Sequence, residues 1–77
     1  MKTTILFDFV NGEILEFPNE REMEIIKEKH QEYQDNYLVF GRDYFDGHNV
    51  WFIKDILDST ITRNTLEEKV LNYLRDK

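Results

Sequence analysis

Two stretches constrain this chain more than anything else in it. Asp8-Phe9-Val10-Asn11-Gly12 and Asp43-Tyr44-Phe45-Asp46-Gly47 both run Asp, aromatic, apolar, Asn or Asp, Gly. Asn-Gly or Asp-Gly between apolar runs marks a β-hairpin, because the turn needs positive φ and glycine supplies it without steric cost. Ile5-Leu6-Phe7-Asp8-Phe9 and Ile14-Leu15-Glu16-Phe17 flank the first turn; Tyr37-Leu38-Val39-Phe40 and Val50-Trp51-Phe52-Ile53 flank the second. Each hairpin precedes a helix signal. Asn19-Glu20-Arg21-Glu22 follows Pro18 and reads as a capping box, and so does Asn64-Thr65-Leu66-Glu67.

The order is therefore strand, strand, helix, twice over. The expectation is one α+β domain over residues 1–77, ββαββα, with pseudo-repeat halves 1–36 and 37–77. It should have a small antiparallel sheet with two helices packed on one face. At 77 residues a chain buries only about 60% of the surface its unfolded form exposes. One core of that size supplies about 3–5 kcal/mol.

Register decides which side chains share a face. A two-residue turn at Asn11-Gly12 sets Phe9 opposite Ile14 and Phe7 opposite Glu16, mixing both faces. A three-residue loop of Val10, Asn11 and Gly12, with Gly12 in a left-handed bulge position, sets Phe7 opposite Leu15 and Ile5 opposite Phe17. That register gathers Ile5, Phe7, Phe9, Leu15 and Phe17 on one side and leaves Asp8 and Glu16 to solvent, so it is preferred.

The first helix is expected over residues 20–35, with Met23, Ile26, His30 and Tyr33 as a narrow apolar stripe. The second presents Leu66, Val70, Tyr73 and Leu74, widened by Leu71. Both faces of the second hairpin are apolar: Val39, Phe45, Val50 and Phe52 alternate with Leu38, Phe40, Tyr44, Trp51 and Ile53. One of these faces is core and the other needs cover or a partner.

The chain has no cysteine, which removes disulfides and thiolate zinc sites and makes a cytoplasmic location the default. No segment approaches the ~20 apolar residues of a membrane span, and the amino terminus does not read as a signal peptide. An unprocessed soluble protein is expected. Alanine is missing while Ile, Asn, Lys, Glu, Asp, Tyr and Phe abound, a bias associated with AT-rich coding sequence, as in low-GC bacteria and their phages.

Catalytic signatures are scarce. The sequence contains no P-loop, nucleophile elbow or dinucleotide-binding glycine motif. Asp43, Asp46, His48 and Asn49 cluster at the second turn, where they would serve a metal-dependent hydrolase or an acid/base pair. Their spacing matches neither a calcium loop nor a zinc helix, so the plain reading is a turn beside a solvated histidine. His30 reads as a boundary residue. Tyr44, Phe45 and Trp51 could stack on bases, but the net charge is −6 and phosphate affinity comes from clustered Lys and Arg. Direct nucleic-acid binding is not expected, and no enzyme activity, cofactor or metal is assigned.

The informative feature is a row of like charges. Glu20, Glu24, Glu28 and Glu32 follow at four-residue intervals, and each such neighbour pair on a helix costs about 0.2–0.5 kcal/mol. Residues 1–36 hold nine acids and four bases, so most of the net charge lies there. An acidic helix face suits a basic partner protein, where complementarity raises association rate and specificity. Tyr44 and Trp51, on the outer face of the second hairpin with Leu38 and Phe40, are the candidate anchors. The leading expectation is a non-enzymatic module that sequesters or inhibits a basic host or toxin protein. The alternatives are a homo-oligomer, such as a homodimer through the second hairpin's outer face, and the hydrolase using Asp43, Asp46 and His48.

Residues 46–75, DGHNVWFIKDILDSTITRNTLEEKVLNYLR, resemble the amino-terminal domain of HicB-like antitoxins. There a hairpin strand leads through an Asp-Leu turn and a short Val-Thr strand into a helix opening Thr-Leu-Glu-Glu. The matching positions are Gly47, Phe52, Asp55, Ile61-Thr62 and Thr65-Leu66-Glu67-Glu68. The resemblance implies an acidic protein that binds a small basic ribonuclease toxin. The family's Pro-Gly-Cys turn is replaced by Leu57-Asp58-Ser59, and its DNA-binding segment has no counterpart, so autorepression does not carry over.

Overall fold

A computed structural model describes residues 2–34 and 38–76. The chain is an α+β fold in the order ββαββα. The strands are β1 (Thr3–Asp8), β2 (Glu13–Pro18), β3 (Leu38–Phe45) and β4 (His48–Asp55). The helices are α1 (Glu22–Glu32), preceded by a 3-10 turn at Asn19–Arg21, and α2 (Arg63–Arg75). The strands make one sheet in the order β2-β1-β4-β3. Both hairpins are antiparallel, but β1 and β4 meet in parallel. The sheet is therefore mixed rather than antiparallel throughout.

The helices lie on opposite faces, not on one. Leu66 and Val70 of α2 pack with Ile5, Phe7, Phe45 and Val50. Ile26 of α1 and Tyr33, just past its end, pack with Leu6, Phe17 and Ile53. Adjacent residues of β1 thus feed different cores, and Ile5, Leu6 and Phe7 are all buried. A strand covered on both faces carries an unbroken apolar run. The same two-sided burial accounts for the two apolar faces of the second hairpin.

The two pentapeptides turn the chain in different ways. Asp8 pairs with Glu13, so residues 9–12 make a four-residue connection instead of the expected three. The Asp8 carboxylate causes this. Its Oδ1 accepts the amides of Val10 and Asn11, both at 3.0 Å, and the Gly12 amide donates to the Asp8 carbonyl at 2.8 Å, an arrangement short acidic side chains readily form. Gly12 takes the left-handed conformation, at φ 72°. Leu6 consequently faces Leu15, Phe7 faces Ile14 and Ile5 faces Glu16. In the second hairpin Phe45 pairs directly with His48, and Asp46 and Gly47 sit at φ 48° and 84° in a two-residue turn that matches strand twist. Asp43, the counterpart of Asp8 in the pattern, lies inside β3.

The halves also enter the sheet differently. The inner strand is the first of its hairpin in one half, β1, and the second in the other, β4. Repetition along the chain is not repetition in space.

Both helix starts shift from their sequence reading. α2 begins at Arg63, and its cap is Thr62, which accepts the Thr65 amide at 3.3 Å. Leu71 is exposed and does not widen the buried face. α1 begins at Glu22, with no side-chain cap, and ends at Glu32, so the expected helix over 20–35 is shorter at both ends: Glu20 and Arg21 lie in the 3-10 turn, Tyr33 and Gln34 turn out of the helix, and Asp35 lies outside the described residues. Asn19 instead accepts the Thr4 hydroxyl at 2.7 Å. The inward positions are Glu22, Ile26 and Tyr33, while Met23 is 72% exposed and His30 faces outward, stacked on Phe40 at 3.7 Å.

Candidate functional site

The outer surface of α1 carries the charge row. Glu20, in the 3-10 turn, and Glu24, Glu28 and Glu32, in α1, are all exposed. Arg21 meets Glu24 at 3.0 Å, and Lys29 meets Glu32 at 3.3 Å. The Arg21 hydrogen bond, then its charge, hold the Glu24 carboxyl below the usual range. The Arg21–Glu24 pair, exposed on both sides, adds little stability.

What lies beneath α1 is different in kind. At its amino-terminal end the buried Glu22 carboxylate accepts the Trp51 indole N–H at 2.7 Å. The Thr4 hydroxyl lies 3.4 Å from the same oxygen and the Arg42 Nε at 3.8 Å. At the far end Asp8, 1% exposed, accepts the Tyr33 hydroxyl at 2.6 Å. The Asn11 amide in turn donates to that hydroxyl oxygen, and Lys29 stands 3.5 Å from Asp8 and 3.6 Å from Glu13. Asp8 is thus a buried junction between turn, strand and helix, not the solvent-side residue its register suggested.

At the Asp8 end the shifts of three groups all favour the paired state. Burial pushes the Asp8 carboxyl up, but the Tyr33 hydroxyl, the amides of Asn11 and Val10 and the Lys29 charge outweigh it and hold it below the usual carboxylate range. Burial, followed by the Asp8 carboxylate, pushes the Tyr33 phenol well above its ordinary value. Burial pulls the Lys29 ammonium down, yet Glu32, Asp8 and Glu13 leave it raised. The cluster fastens α1 to the sheet.

The two aromatic candidates separate. Tyr44 is 66% exposed. Trp51 is half-buried, packed in the α1-side core with its N–H committed to Glu22. Leu38 and Phe40 pack in that core as well, so α1 provides the cover that the second hairpin's outer face required. Tyr44 pairs with Asn49, whose position in β4 alternates onto the face of Trp51 and Ile53. The exposed tyrosine and the glutamate row therefore share one side of the sheet.

Around the second turn, Asp43 forms an ion pair with Arg63 and accepts the Tyr44 amide at 2.8 Å. Asp46 occupies the positive-φ turn position, and His48 and Asn49 are half-buried in β4. Among the described residues, no group of three or more His, Cys, Asp or Glu is placed to hold a metal ion. No described helix is long and apolar enough to cross a membrane. Ile61 and Thr62, matched to a strand in the antitoxin resemblance, form no strand here.

Sequence reasoning placed Tyr33 inward but missed Glu22, Asp8 and Lys29 as its fellow tethers, since polarity alone sends such residues outward. One signal was present: an indole N–H in a core needs an acceptor, and Glu22 is an acidic residue at the start of the helix that covers Trp51. Comparison with protein-family models, curated proteins and solved structures returned no match.

Proposed function

We propose that the protein is a non-catalytic, acidic protein-binding module that sequesters or inhibits a basic partner in the cytoplasm. The observation that carries this reading is the exposure of Glu20, in the 3-10 turn, and of Glu24, Glu28 and Glu32 on a helix tethered by Glu22 at one end and by Lys29 and the adjoining Tyr33 at the other. A charge row presented by a fixed helix needs little ordering when it binds, which lowers the entropic cost of association. It also steers an oppositely charged partner before contact. Tyr44, exposed on the same side, serves as an aromatic anchor within reach of the charged surface. Antitoxins, immunity proteins and phage inhibitors of host defence work in this way. The resemblance of residues 46–75 to HicB-like antitoxins favours a small basic ribonuclease as the partner.

The test compares affinity capture by the native chain and by the Glu24→Lys, Glu28→Lys double variant, at low and at moderate salt. Binding of a basic protein should weaken as salt rises, because exposed charges are screened over about 10 Å at 0.1 M. It should be lost in the double variant. A partner retained equally by both chains sinks the proposal.

A further inference from the structure

The turn between β1 and β2 sets a chemically reactive pair of residues against the tether of α1. Of the six asparagines in the chain, Asn11 alone is followed by glycine; the others precede Glu, Tyr, Val or Thr. A peptide nitrogen can attack the side-chain amide carbon of the asparagine before it, and glycine, which has no Cβ, hinders that approach least. Asn11 and Gly12 are both exposed, so water, the second reactant, reaches them.

The fold occupies both reacting groups. The Gly12 amide donates to the Asp8 carbonyl at 2.8 Å, and the Asn11 side-chain amide donates to the Tyr33 hydroxyl. That hydroxyl is itself fixed on the Asp8 carboxylate at 2.6 Å, and Tyr33 is buried where α1 ends. Attack requires the Gly12 nitrogen to give its proton to water or hydroxide. It also requires the Asn11 carboxamide to leave Tyr33 and swing onto that nitrogen. Both contacts must open first, and the second opens when α1 lifts from the sheet.

We propose that Asn11 is a self-modification site: it deamidates when α1 lifts from the Asp8–Tyr33 junction, and the product keeps the junction from closing as before. The Gly12 nitrogen bonds to Asn11 Cγ, the Cγ–Nδ2 bond breaks, and Nδ2 leaves as ammonia, giving a cyclic imide. Water then opens the imide at either carbonyl and leaves aspartate or isoaspartate, so one water enters for each ammonia lost. The product has a carboxylate where Asn11 had a donor. The Tyr33 oxygen loses its partner, and a new negative charge stands across that hydroxyl from buried Asp8, where like charges repel more than they do in water. Lys29 already meets Asp8, Glu13 and Glu32 and offsets little of this. The chemistry rests on the tether of α1 and is independent of any basic partner.

Peptide mapping by mass spectrometry, on full chains incubated in mildly alkaline buffer, tests it. Deamidation at Asn11 should be slowest in the native chain and fastest in the same chain unfolded by urea. Tyr33→Phe removes the hydroxyl that holds the carboxamide and should speed the reaction about tenfold, the factor that one ordinary hydrogen bond represents. Val70→Ala, which weakens the opposite face by leaving a cavity, should speed it less than Tyr33→Phe when urea brings the two chains to equal stability. Asn11→Asp, which installs the aspartate product directly, should lower the thermal midpoint. Equal rates in the folded and unfolded chains, a Val70→Ala chain as fast as Tyr33→Phe at matched stability, or an Asn11→Asp chain that melts with the native one would each overturn the proposal.

Discussion

The two faces of the sheet are covered by helices of similar length that are held by different means. Under α2 the buried contacts are mainly apolar: Ile5, Phe7, Phe45, Val50, Leu66 and Val70 form one buried cluster, edged by Phe9, Phe52, Tyr73 and Leu74, with polar ties at its edges, where the Tyr73 hydroxyl donates to Glu16 at 2.8 Å and Arg63 pairs with Asp43. Under α1 an apolar centre of Leu6, Phe17, Ile26 and Ile53 is bracketed by Thr4 and Glu22 at one end and Asp8 and Tyr33 at the other. Apolar burial is non-directional and scales with area. A buried carboxylate must meet particular donors at particular distances, and leaving it unmet is costly. One helix is held mainly by area, and the other by position as well. The positioned helix is also the one that displays the glutamate row.

Substitution can break that contrast. The largest effect belongs to the apolar face. Leu66→Ala should cost about 2–5 kcal/mol, comparable to the ~3–5 kcal/mol a core of this size supplies. Circular dichroism should show a substantially unfolded chain at room temperature, and a cooperative urea transition near the native midpoint would refute the area reading.

Asp8→Asn comes next, with an expected loss of about 2 kcal/mol in urea denaturation, because Tyr33 and Lys29 lose a charged acceptor. This substitution also sharpens a pH dependence. The folded Asp8 carboxyl lies below its ordinary value, so its contribution is present above pH ~4 and lost as acid takes the pH down through the folded value. Lys29 and Tyr33 are raised, so theirs is present below pH ~10 and lost as the pH rises through their folded values. The native chain should weaken at both extremes, and the Asp8→Asn chain should show a flatter acid limb.

Glu22→Gln should cost about 1 kcal/mol and shift the fluorescence of Trp51, the single tryptophan; an unaltered emission spectrum would place the anchor elsewhere. The smallest effect falls on the exposed row. Glu24→Lys with Glu28→Lys should leave the thermal midpoint unchanged while abolishing capture of a basic partner.

The local punctuation of this fold could be read from single residues. Gly12 and Gly47 mark positive-φ turns, Pro18 ends β2, and the periodicity around Leu66 and Val70 announces α2. The unbroken run Ile5-Leu6-Phe7 also held a signal for two-sided burial, but a hairpin reading with one solvent face sent Asp8 outward. For α1 hydropathy chose the wrong inward position between Met23 and Glu22. Helical spacing admits either, and apolar preference selects Met23. Trp51 and Thr4, brought alongside by β4 and β1, select Glu22.

Sequence alone was sufficient for the order ββαββα, the turn glycines and the exposed glutamate row, since these depend on neighbours a few residues away. The parallel pairing of β1 with β4, the placement of the helices on opposite faces and the burial of Asp8 and Glu22 emerged only in three dimensions. They depend on partners brought together from distant parts of the chain, such as Asp8 with Tyr33 and Glu22 with Trp51. A carboxylate goes inward when assembled donors outweigh its desolvation, and no window of neighbouring residues contains those donors.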